Sequence, residues 1–492
     1  MSLHTPFFKN FHRLLFGKPP VSALARSLTE SSCNLKSASD LQDLYAAFIP
    51  LSLFHAFEKA LRLRSRIFSL QTTFWSFLNQ VQNPEISCRE VVRTFIASVQ
   101  SNLPPDQDLA ISPSDSAYCQ ARLRIPLELL LKIMNHLVQL LDKRILRHQL
   151  WHGRKVRIVD GTGISMPDTA KNQEQWPQGK SQKPGCGFPS LKLVGLFCLH
   201  SGALIKAAYS SIKSNEISLF RQLMPALEPG DILVADRGFC AFGILAELSV
   251  KKVDSLLRLP EKRIRKAIGS KLPKCANFDV IVPWNKPKVC PKTMEKEEFN
   301  ALPESIPVRC VAYEIKRKGC RSHRITLVTT LVDPKISTEQ LADLYCLRWC
   351  VEIHFREIKT TMKMDVLRCL SPAMIERELQ MHLIAYNLVR LVMQNAANIH
   401  NLPMRSLSFK GSLDSLKAYI VAMAGKKKNK KTLAAVLEEM LLCIAKDLLP
   451  DRPDRVEPRV KKRRDKSFPL MNKTRQEYKA NMEQKNADSQ AA

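Results

Sequence analysis

The stretch VRIVDGTGI, residues 156–164, gives the first indication of the fold. The apolar residues up to Val159 are typical of a short buried β-strand. A carboxylate, Asp160, then stands where the strand is predicted to end, and residues 161–163 have the composition of a turn. Such an aspartate either caps the turn or serves as a metal ligand or catalytic acid at the strand's end. The stretch by itself leaves both explanations open.

A second stretch of the same kind follows downstream. DILVADRGF, residues 231–239, predicts another short apolar strand that ends in an aspartate, Asp236. Between the two stretches, LKLVGLFCLH and ALIKAAYS predict strands, and NEISLFRQLMPAL predicts a helix that begins after Ser214. FGILAEL and DSLLRL add a helix and a further strand. This order of elements predicts an α/β fold with a mixed sheet.

The flanking sequence changes character several times. Helical periodicity dominates residues 41–150 after a polar segment over 1–40, and strand-like pieces dominate 261–335. Helical patterns return from Ser337, and the chain from 403 onward is rich in lysine and arginine, with the runs GKKKNKK and RVEPRVKKRRDK. These shifts predict several structural regions around the α/β core.

Charge is the outlier of the composition. Lys and Arg outnumber Asp and Glu by 76 to 46, a net charge of +30. A surplus of this size favours a polyanionic partner, with nucleic acid ahead of an anionic membrane surface. No apolar run is long enough to span a bilayer. The fourteen cysteines lack CxxC pairs, which favours reduced thiols of a cytoplasmic protein over disulfides or a zinc site.

A helix near residue 350 carries a polar signature, Y-x2-R-x3-E-x6-K, formed by Tyr345, Arg348, Glu352 and Lys359. On an ideal helix these side chains fall within about a 60° stripe roughly 21 Å long. Any exposed amphipathic helix has a polar face. An ordinary polar face would not explain why a tyrosine and a single carboxylate occur in this stripe. It would also not explain the two aspartates at the predicted strand ends.

Three acids in these positions match the requirements of two-metal phosphoryl chemistry. Divalent cations prefer carboxylate oxygens, and a pair of ions needs one bridging carboxylate and at least one more for each ion. Asp160, Asp236 and Glu352 supply them, and neighbouring arginine, lysine and tyrosine side chains suit phosphate. Arg237 and Lys192 are further basic residues near the aspartates that could contact phosphate.

These residues resemble the bacterial insertion-sequence transposases of the DDE class, in the branch with the Tyr-Arg-Glu-Lys signature. The resemblance covers about residues 40–475 and includes VDGTGISMPDT, ADRGF, YCLRWCVEIHFREIK and HLIAYNLVR. It implies an RNase H-like catalytic core, a mixed sheet flanked by helices, with a β-rich insertion before the glutamate helix. It also implies a helical DNA-binding region ahead of the core and a basic C-terminal region behind it.

The resemblance implies a division of the chain into six regions. They are a loosely ordered arm (1–40), a helical DNA-binding region (41–150), the first part of the core (151–260), the β-rich insertion (261–335), the second part of the core with the glutamate helix (336–402), and the basic C-terminal region and tail (403–492).

The resemblance further implies the site and its chemistry. Asp160, Asp236 and Glu352 would be catalytic and would hold two Mg²⁺ ions, for which Mn²⁺ would substitute. Tyr345, Arg348, Lys359 and Arg237 would contact DNA. The implied reaction is cut-and-paste transposition: water releases a 3′-OH at the element's end, that hydroxyl forms a hairpin on the opposite strand, and after hairpin opening it joins target DNA.

The implied partners are double-stranded DNA, as terminal inverted repeats and target, and a second copy of the chain in the synaptic complex, with no membrane. The expected location is cytoplasmic and nucleoid-associated. Family members hold a flipped base against a tryptophan of the insertion. Trp284 is the single tryptophan there, and a place in the core is its alternative role.

Three other functions compete with this hypothesis. Phosphatases with an Asp-x-Asp-Gly-Thr motif use the first aspartate as nucleophile, and that position here is Ile158, which excludes them. A catalytically silent, transposase-derived DNA-binding protein would retain the same motifs. A metal-dependent nuclease that cuts without joining would need the same three acids. The sequence leaves these last two open.

Overall fold

The computed structural model describes most of the chain between residues 45 and 491. The described ranges are 45, 48–60, 68–100, 112–259, 261–268, 272–273, 277–315, 323–424, 430–450 and 469–491. The arm expected over 1–40 and the basic runs at 425–429 and 455–466 lie outside these ranges.

Helices and strands alternate through the middle of the chain and helices dominate both ends. The α-helices are α1 (Leu51–Ala60), α2 (Leu70–Gln82), α3 (Cys88–Gln100), α4 (Ser116–Arg124), α5 (Leu127–Lys143), α6 (Ala170–Gln175), α7 (Glu216–Leu223), α8 (Phe242–Val250), α9 (Glu261–Ile268), α10 (Lys296–Asn300), α11 (Thr338–Cys346), α12 (Cys350–Arg356), α13 (Pro372–Ile399), α14 (Phe409–Ala424), α15 (Lys430–Lys446) and α16 (Arg475–Ala491). The strands are β1 (Val156–Ser165), β2 (Ser190–Cys198), β3 (Leu204–Ser211), β4 (Ile232–Ala235), β5 (Asp254–Arg258), β6 (Phe278–Asn285), β7 (Ser305–Ile315) and β8 (His323–Thr329).

One mixed sheet organises the fold, in the order β3-β2-β1-β4-β5-β8-β7-β6. β1, β2 and β3 form an antiparallel meander, whereas β4 and β5 run parallel to β1. β8 then pairs antiparallel with β5, and β7 and β6 follow it. The predicted mixed α/β class is confirmed, and the first five strands have an order consistent with an RNase H-like core. The strands of residues 278–329 extend the same sheet.

The predicted end of β1 at Asp160 is wrong, because the strand continues to Ser165. Pairing with β4 stops at Val159, but pairing with β2 carries on from Asp160 opposite Gly195 to Ser165 opposite Ser190. The Gly-Thr-Gly segment therefore lies in a strand held on one side only, and it is not a turn. Asp160 stands where one neighbouring strand ends, within the strand itself.

The helical segment predicted from Ser337 is also less regular than an ideal helix. Ser337 caps α11 by accepting a hydrogen bond from the amide of Gln340. A 3₁₀ turn then separates α11 from α12 at 347–349, and a π turn follows α12 at 357–361. Another predicted helix start is one residue early, because Asn215, and not Ser214, caps α7.

Buried polar side chains connect the helices to the sheet. α13 is buried along most of its 28 residues, and its Asn387 both accepts from the amide and donates to the carbonyl of Leu204 in β3. Arg157 of β1 is buried and donates to Asp142 of α5 and to Asp231. These contacts pair the polar groups that burial would otherwise leave unsatisfied.

The N-terminal helices share the core of the sheet. Buried apolar residues of α1, α2 and α5 belong to one continuous cluster with the strands and α13. Val91 and Val92 of α3 form a separate small cluster with Tyr118 of α4. No helix within the described ranges is long and apolar enough to cross a membrane. No disulfide joins the cysteines that the structure describes.

Replacing Arg157 with alanine should lower the free energy of unfolding by about 3–5 kcal/mol, because it leaves buried Asp231 without its charged partner. Urea unfolding followed by circular dichroism measures the change. Lys410→Ala removes an exposed pair with Asp414 and should cost no more than about 0.5 kcal/mol. Equal losses of unfolding free energy in the two variants would contradict the stabilising role of the buried ion pair of Arg157 with Asp231.

Candidate active site

The register between β1 and β4 brings two acids side by side. The last parallel pair is Val159 with Ala235, and the next residue along each chain is an aspartate, Asp160 and Asp236. Residues in register on neighbouring parallel strands point to the same face of the sheet. The two predicted acids therefore lie next to each other at the point where β4 ends.

The segment α11–α12 lies over this face of the sheet and carries the third acid. Close packing requires a glycine on β2: a Cβ at Gly195, directly opposite Asp160, would lie 2.7 Å from Phe197 and 3.2 Å from Phe355 of α12. Without a side chain at Gly195, α12 approaches the strand and brings Glu352 toward the aspartates. Gly195 was not singled out from the sequence.

Arg348 links two of the acids. Its Nη2 atom donates to Oε1 of Glu352 at 3.1 Å, and its Nη1 atom lies 3.6 Å from Oδ2 of Asp160. The arginine side chain is 12% exposed, against 27% for Asp160 and 39% for Glu352. The guanidinium thus lies below the carboxylates, whose oxygens remain accessible from outside.

Tyr345 and Lys359 contact the same face. The Tyr345 hydroxyl donates to Oδ1 of Asp236 at 3.3 Å. Lys359 Nζ donates to the Thr162 hydroxyl at 3.0 Å and to the Gly163 carbonyl at 2.9 Å. The four signature residues therefore converge on β1 and the end of β4. The sequence predicted that the four residues form a stripe along one helix, but it did not predict their contacts with the sheet.

The pKa values of the site residues are shifted by burial and by the neighbouring acids. The pKa of Asp160 is raised to about 6, mainly by burial and in smaller part by the charges of Glu352 and Asp236, against the opposing effects of the Gly161 amide and Arg348. The neighbouring acids and Tyr345 raise the pKa of Arg348 in spite of its burial, which keeps it charged. Burial also raises the pKa of Tyr345, so its hydroxyl remains a donor.

A buried polar cluster supports the far side of the segment. His354 stacks on Phe197 and is hydrogen-bonded to Glu357, which forms an ion pair with Arg390 of α13. This pair anchors the π turn that begins at Glu357 and carries Lys359. π turns occur often at functional sites. His354 is packed away from the acids, as expected, whereas Glu357 and Arg390 were not singled out from the sequence.

The remaining candidates are Arg237, Lys192 and Trp284. Arg237 follows Asp236 directly and is exposed. Lys192 donates to the Ser214 carbonyl and lies 3.6 Å from Glu216. Trp284 of β6 is 7% exposed, and its ring packs edge-to-face against Phe242. Trp284 therefore belongs to the core in this structure.

The donor set fits hard divalent cations. Three carboxylates share one face, and burial together with mutual repulsion makes the ionised form of Asp160 costly. A divalent cation would relieve that cost and prefers oxygen ligands. Among the described residues, Arg348 is the one basic residue that forms ion pairs with Asp160 and Glu352.

The pKa of Asp160 leads to a prediction for the metal-free protein. A folded pKa of about 6, above that of an unfolded aspartate, means that ionised Asp160 destabilises the fold above pH 6. Asp160→Asn should therefore raise the melting temperature at pH 7.5 by on the order of 2 °C. The difference from wild type should shrink as the pH falls from about 6 toward 4.

Calorimetry in EDTA across this pH range measures the effect. Asp168→Asn, in an exposed position beyond β1, is the matched control and should not show it. A melting temperature of Asp160→Asn below that of wild type at pH 7.5 would contradict the burial penalty.

The chain is similar to known proteins over most of its length. A family model described as a transposase DDE domain matches residues 151–388, which include all three acids. The transposase InsG of insertion sequence element IS4 from Escherichia coli K12 is 26% identical over 418 residues, 84% of this chain and 90% of the relative.

Two further relatives are similar over shorter spans. The putative transposase InsL of insertion sequence element IS186A from E. coli K12 is 33% identical over 269 residues, 49% of this chain and 67% of the relative. The transposase of insertion sequence element IS231D from Bacillus thuringiensis subsp. finitimus is 22% identical over 242 residues, 42% of this chain and 50% of the relative. On this evidence the chain belongs to the DDE transposase family.

Proposed function

We propose that the chain cuts and rejoins DNA at the ends of an insertion sequence, with Asp160, Asp236 and Glu352 as its catalytic acids. The observation that carries the proposal is the β1–β4 register, which sets Asp160 beside Asp236, together with the link from Asp160 through Arg348 to Glu352. Enzymes of this family use divalent metal ions and bind DNA, and the net charge of +30 suits that partner.

The three acids would hold two Mg²⁺ ions, with Asp160 as the bridging ligand and Mn²⁺ as a substitute. When bound, such ions activate water or a 3′-OH and stabilise the leaving oxygen of an in-line displacement. The partial exposure of Asp160 and Glu352 leaves their oxygens accessible for this. Because the raised pKa of Asp160 means that its ionised form is costly, binding of a cation there would be more favourable.

Arg348 would have two partners in turn. Without DNA it balances Asp160 and Glu352. In the DNA complex its guanidinium would be available for the phosphate of the bound strand, if divalent cations balanced the charge of the acids. Guanidinium pairs well with phosphate. Tyr345 would keep Asp236 oriented through its hydroxyl, and Lys359 would fix the Thr162–Gly163 part of β1 while remaining near the strand of DNA.

Joining requires more than cutting. After the first nick, the second strand must bend until its phosphate meets the new 3′-OH, which forms a hairpin before transfer to target DNA. Positive side chains beside the acids favour this step, since they hold both strands close to the site. Arg237, exposed next to Asp236, is a further candidate for phosphate contact. Two copies of the chain would bring the terminal repeats together as a homodimer.

The division of the chain follows from the same proposal. The helices before β1 would bind DNA, β1–β5 with α11–α13 would form the RNase H-like core, and β6–β8 would be the insertion. The two remaining alternatives stay distinguishable by experiment: a silent DNA-binding protein would bind without cutting, and a plain nuclease would cut without making a hairpin.

Replacing any one of the three acids by alanine should abolish cleavage of the element's ends, while binding of the same DNA persists. Loss of one carboxylate removes a ligand from the metal pair and leaves the phosphate contacts in place. Gel shift and cleavage on one labelled duplex, with Mg²⁺, measure both properties.

Asp168→Ala serves as the matched control, because Asp168 is an exposed aspartate just beyond β1 that accepts from Gln173. It should cut like wild type. Cleavage at the wild-type rate by an Asp160, Asp236 or Glu352 variant would exclude that acid. Binding without cutting by the wild type would favour the silent alternative.

Arg348→Ala should leave the first nick largely intact and slow hairpin formation by about tenfold or more. A charge-assisted hydrogen bond to phosphate is worth roughly 1.5–3 kcal/mol, and the bent second strand depends on it more than the first. A denaturing gel that follows nicked and hairpin species over time separates the two steps.

Arg356→Ala provides the control for a general loss of positive charge, because Arg356 is exposed at the end of α12, the helix that follows the turn carrying Arg348. It should affect neither step strongly. If nick and hairpin decline together in Arg348→Ala, or if the wild type never forms a hairpin, the nuclease alternative replaces transposition by this route.

A further inference from the structure

A pair of cysteines lies outside the proposed active site, between two N-terminal helices. Cys88 is the first residue of α3 and Cys119 belongs to α4. Their Sγ atoms and a carboxylate oxygen of Asp115 lie within 4.8 Å of one another. Both cysteines are partly exposed. The two thiols come from positions 31 residues apart, so only the tertiary structure reveals the pair.

A fixed guanidinium faces both sulfur atoms. Arg122 Nη2 lies 3.2 Å from Cys88 Sγ and 3.7 Å from Cys119 Sγ, and Gln80 Nε2 lies 3.5 Å from Cys88 Sγ. Arg122 Nη1 itself donates to the side-chain oxygen Oε1 of Gln80 at 3.2 Å, and the guanidinium lies over the rings of Phe77 and Tyr118. N–H groups directed at sulfur stabilise a thiolate.

This arrangement distinguishes the two thiols. The hydrogen bond with Cys119, followed by the charge of Arg122 and the contact with Gln80, lowers the pKa of Cys88 against the effect of burial. The same hydrogen bond and burial raise the pKa of Cys119. Cys88 also benefits from its place at the start of a 13-residue helix, where the positive end of the helix dipole favours an anion. The guanidinium and the helix N-terminus thus favour a thiolate at Cys88, with Cys119 as its thiol neighbour.

The pair opens on a cavity of about 630 Å³ between the N-terminal helices and the segment after the π turn. Lys363, Asp365, Arg368, Cys369 and Glu378 are among its other titratable wall residues. A small oxidant can therefore reach Cys88 from the cavity. Cys369 differs, because burial and Glu378 raise the pKa of its thiol well above the usual range.

Two thiols and a carboxylate could also suggest a metal site, and the position of Arg122 argues against it. Its Nη2 contacts both sulfur atoms, so a positive charge already faces the ligands that a cation would need. A guanidinium next to a thiolate stabilises the anion without metal. A low-pKa, accessible thiol with a second thiol in reach is the arrangement found in redox-sensitive proteins.

We propose that Cys88 and Cys119 form an oxidisable dithiol, in which Cys88 reacts with a hydroperoxide and Cys119 closes a disulfide between α3 and α4. The Cys88 thiolate attacks one peroxide oxygen, the O–O bond breaks, and the leaving alkoxide or hydroxide takes a proton to give alcohol or water. The product is a sulfenic acid on Cys88. Cys119 sulfur then attacks the Cys88 sulfur, loses its proton and releases water.

The step balances as two thiols and one hydroperoxide giving one disulfide, one alcohol and one water. Two electrons pass from the sulfur atoms to the peroxide. The new bond would replace the contact between Arg122 and the thiolate.

The first test compares alkylation of Cys88 with that of Cys443 in the reduced, full-length protein at pH 6. Cys443 is exposed and lies near Ser415 on another helix, so it is an internal reference for access. Iodoacetamide labelling followed by peptide mass spectrometry should show Cys88 reacting about tenfold faster or more. Arg122→Gln should remove most of this advantage. Labelling of Cys88 no faster than Cys443 would overturn the proposal.

The second test uses one equivalent of hydrogen peroxide on the full-length protein. Non-reducing peptide mapping should show a Cys88–Cys119 linked peptide, whereas Cys119→Ser should accumulate sulfenic acid at Cys88, trapped by a 1,3-dione. Cys119→Ser keeps Cys88 and Arg122 in place, so it tests the chemistry even where Arg122→Gln does not fold. Absence of both products overturns the proposal, as does stoichiometric zinc whose removal is needed before either thiol reacts.

Discussion

The parallel pairing of β1 with β4 is the constraint on which the rest of the site depends. It ends at Val159 opposite Ala235, and the next residue on each chain is an acid. If the register shifted by one residue, Asp160 would turn to the other face of the sheet and away from α12. Pairing with β2 continues beyond this point and keeps Asp160 in an extended, fixed backbone. Asp160 is therefore held by the sheet itself, whereas Asp236 directly follows β4 and Glu352 lies on α12.

The segment α11–α12 over the sheet carries a positive charge that partly balances the acids of the site. Two aspartates and a glutamate on one face repel one another, and the raised pKa of Asp160 reflects this together with its burial. Arg348 compensates part of the charge, and Tyr345 donates to Asp236. An arginine that balances acids in the free protein is well placed for phosphate once cations take over that role. The same residue thus links stability of the free site to the proposed binding of DNA.

Support for this arrangement comes from deep inside the molecule. Glu357 and Arg390 join the π turn to α13, and Asn387 of the same helix joins β3. α13 in turn shares its core with the N-terminal helices. The site therefore rests on one continuous core, and β6–β8 extend the sheet at its far edge. Trp284 is buried in this core. Among the residues described, the insertion therefore has no exposed tryptophan.

The sequence by itself determined the mixed α/β class, most strands and long helices, and the family, because apolar periodicity and motif spacing are local properties of the chain. It also singled out the three acids and their basic companions. Tertiary structure decided what those residues touch. The continuation of β1 past Asp160 depends on hydrogen bonds to β2. The breaks in the helix from Ser337 coincide with side-chain contacts to β1 and α13. The need for Gly195, the ion pair of Glu357 with Arg390, and the meeting of Cys88 with Cys119 arise between segments far apart in sequence. Local patterns carry no information about such meetings, because long-range packing sets which side chains come together.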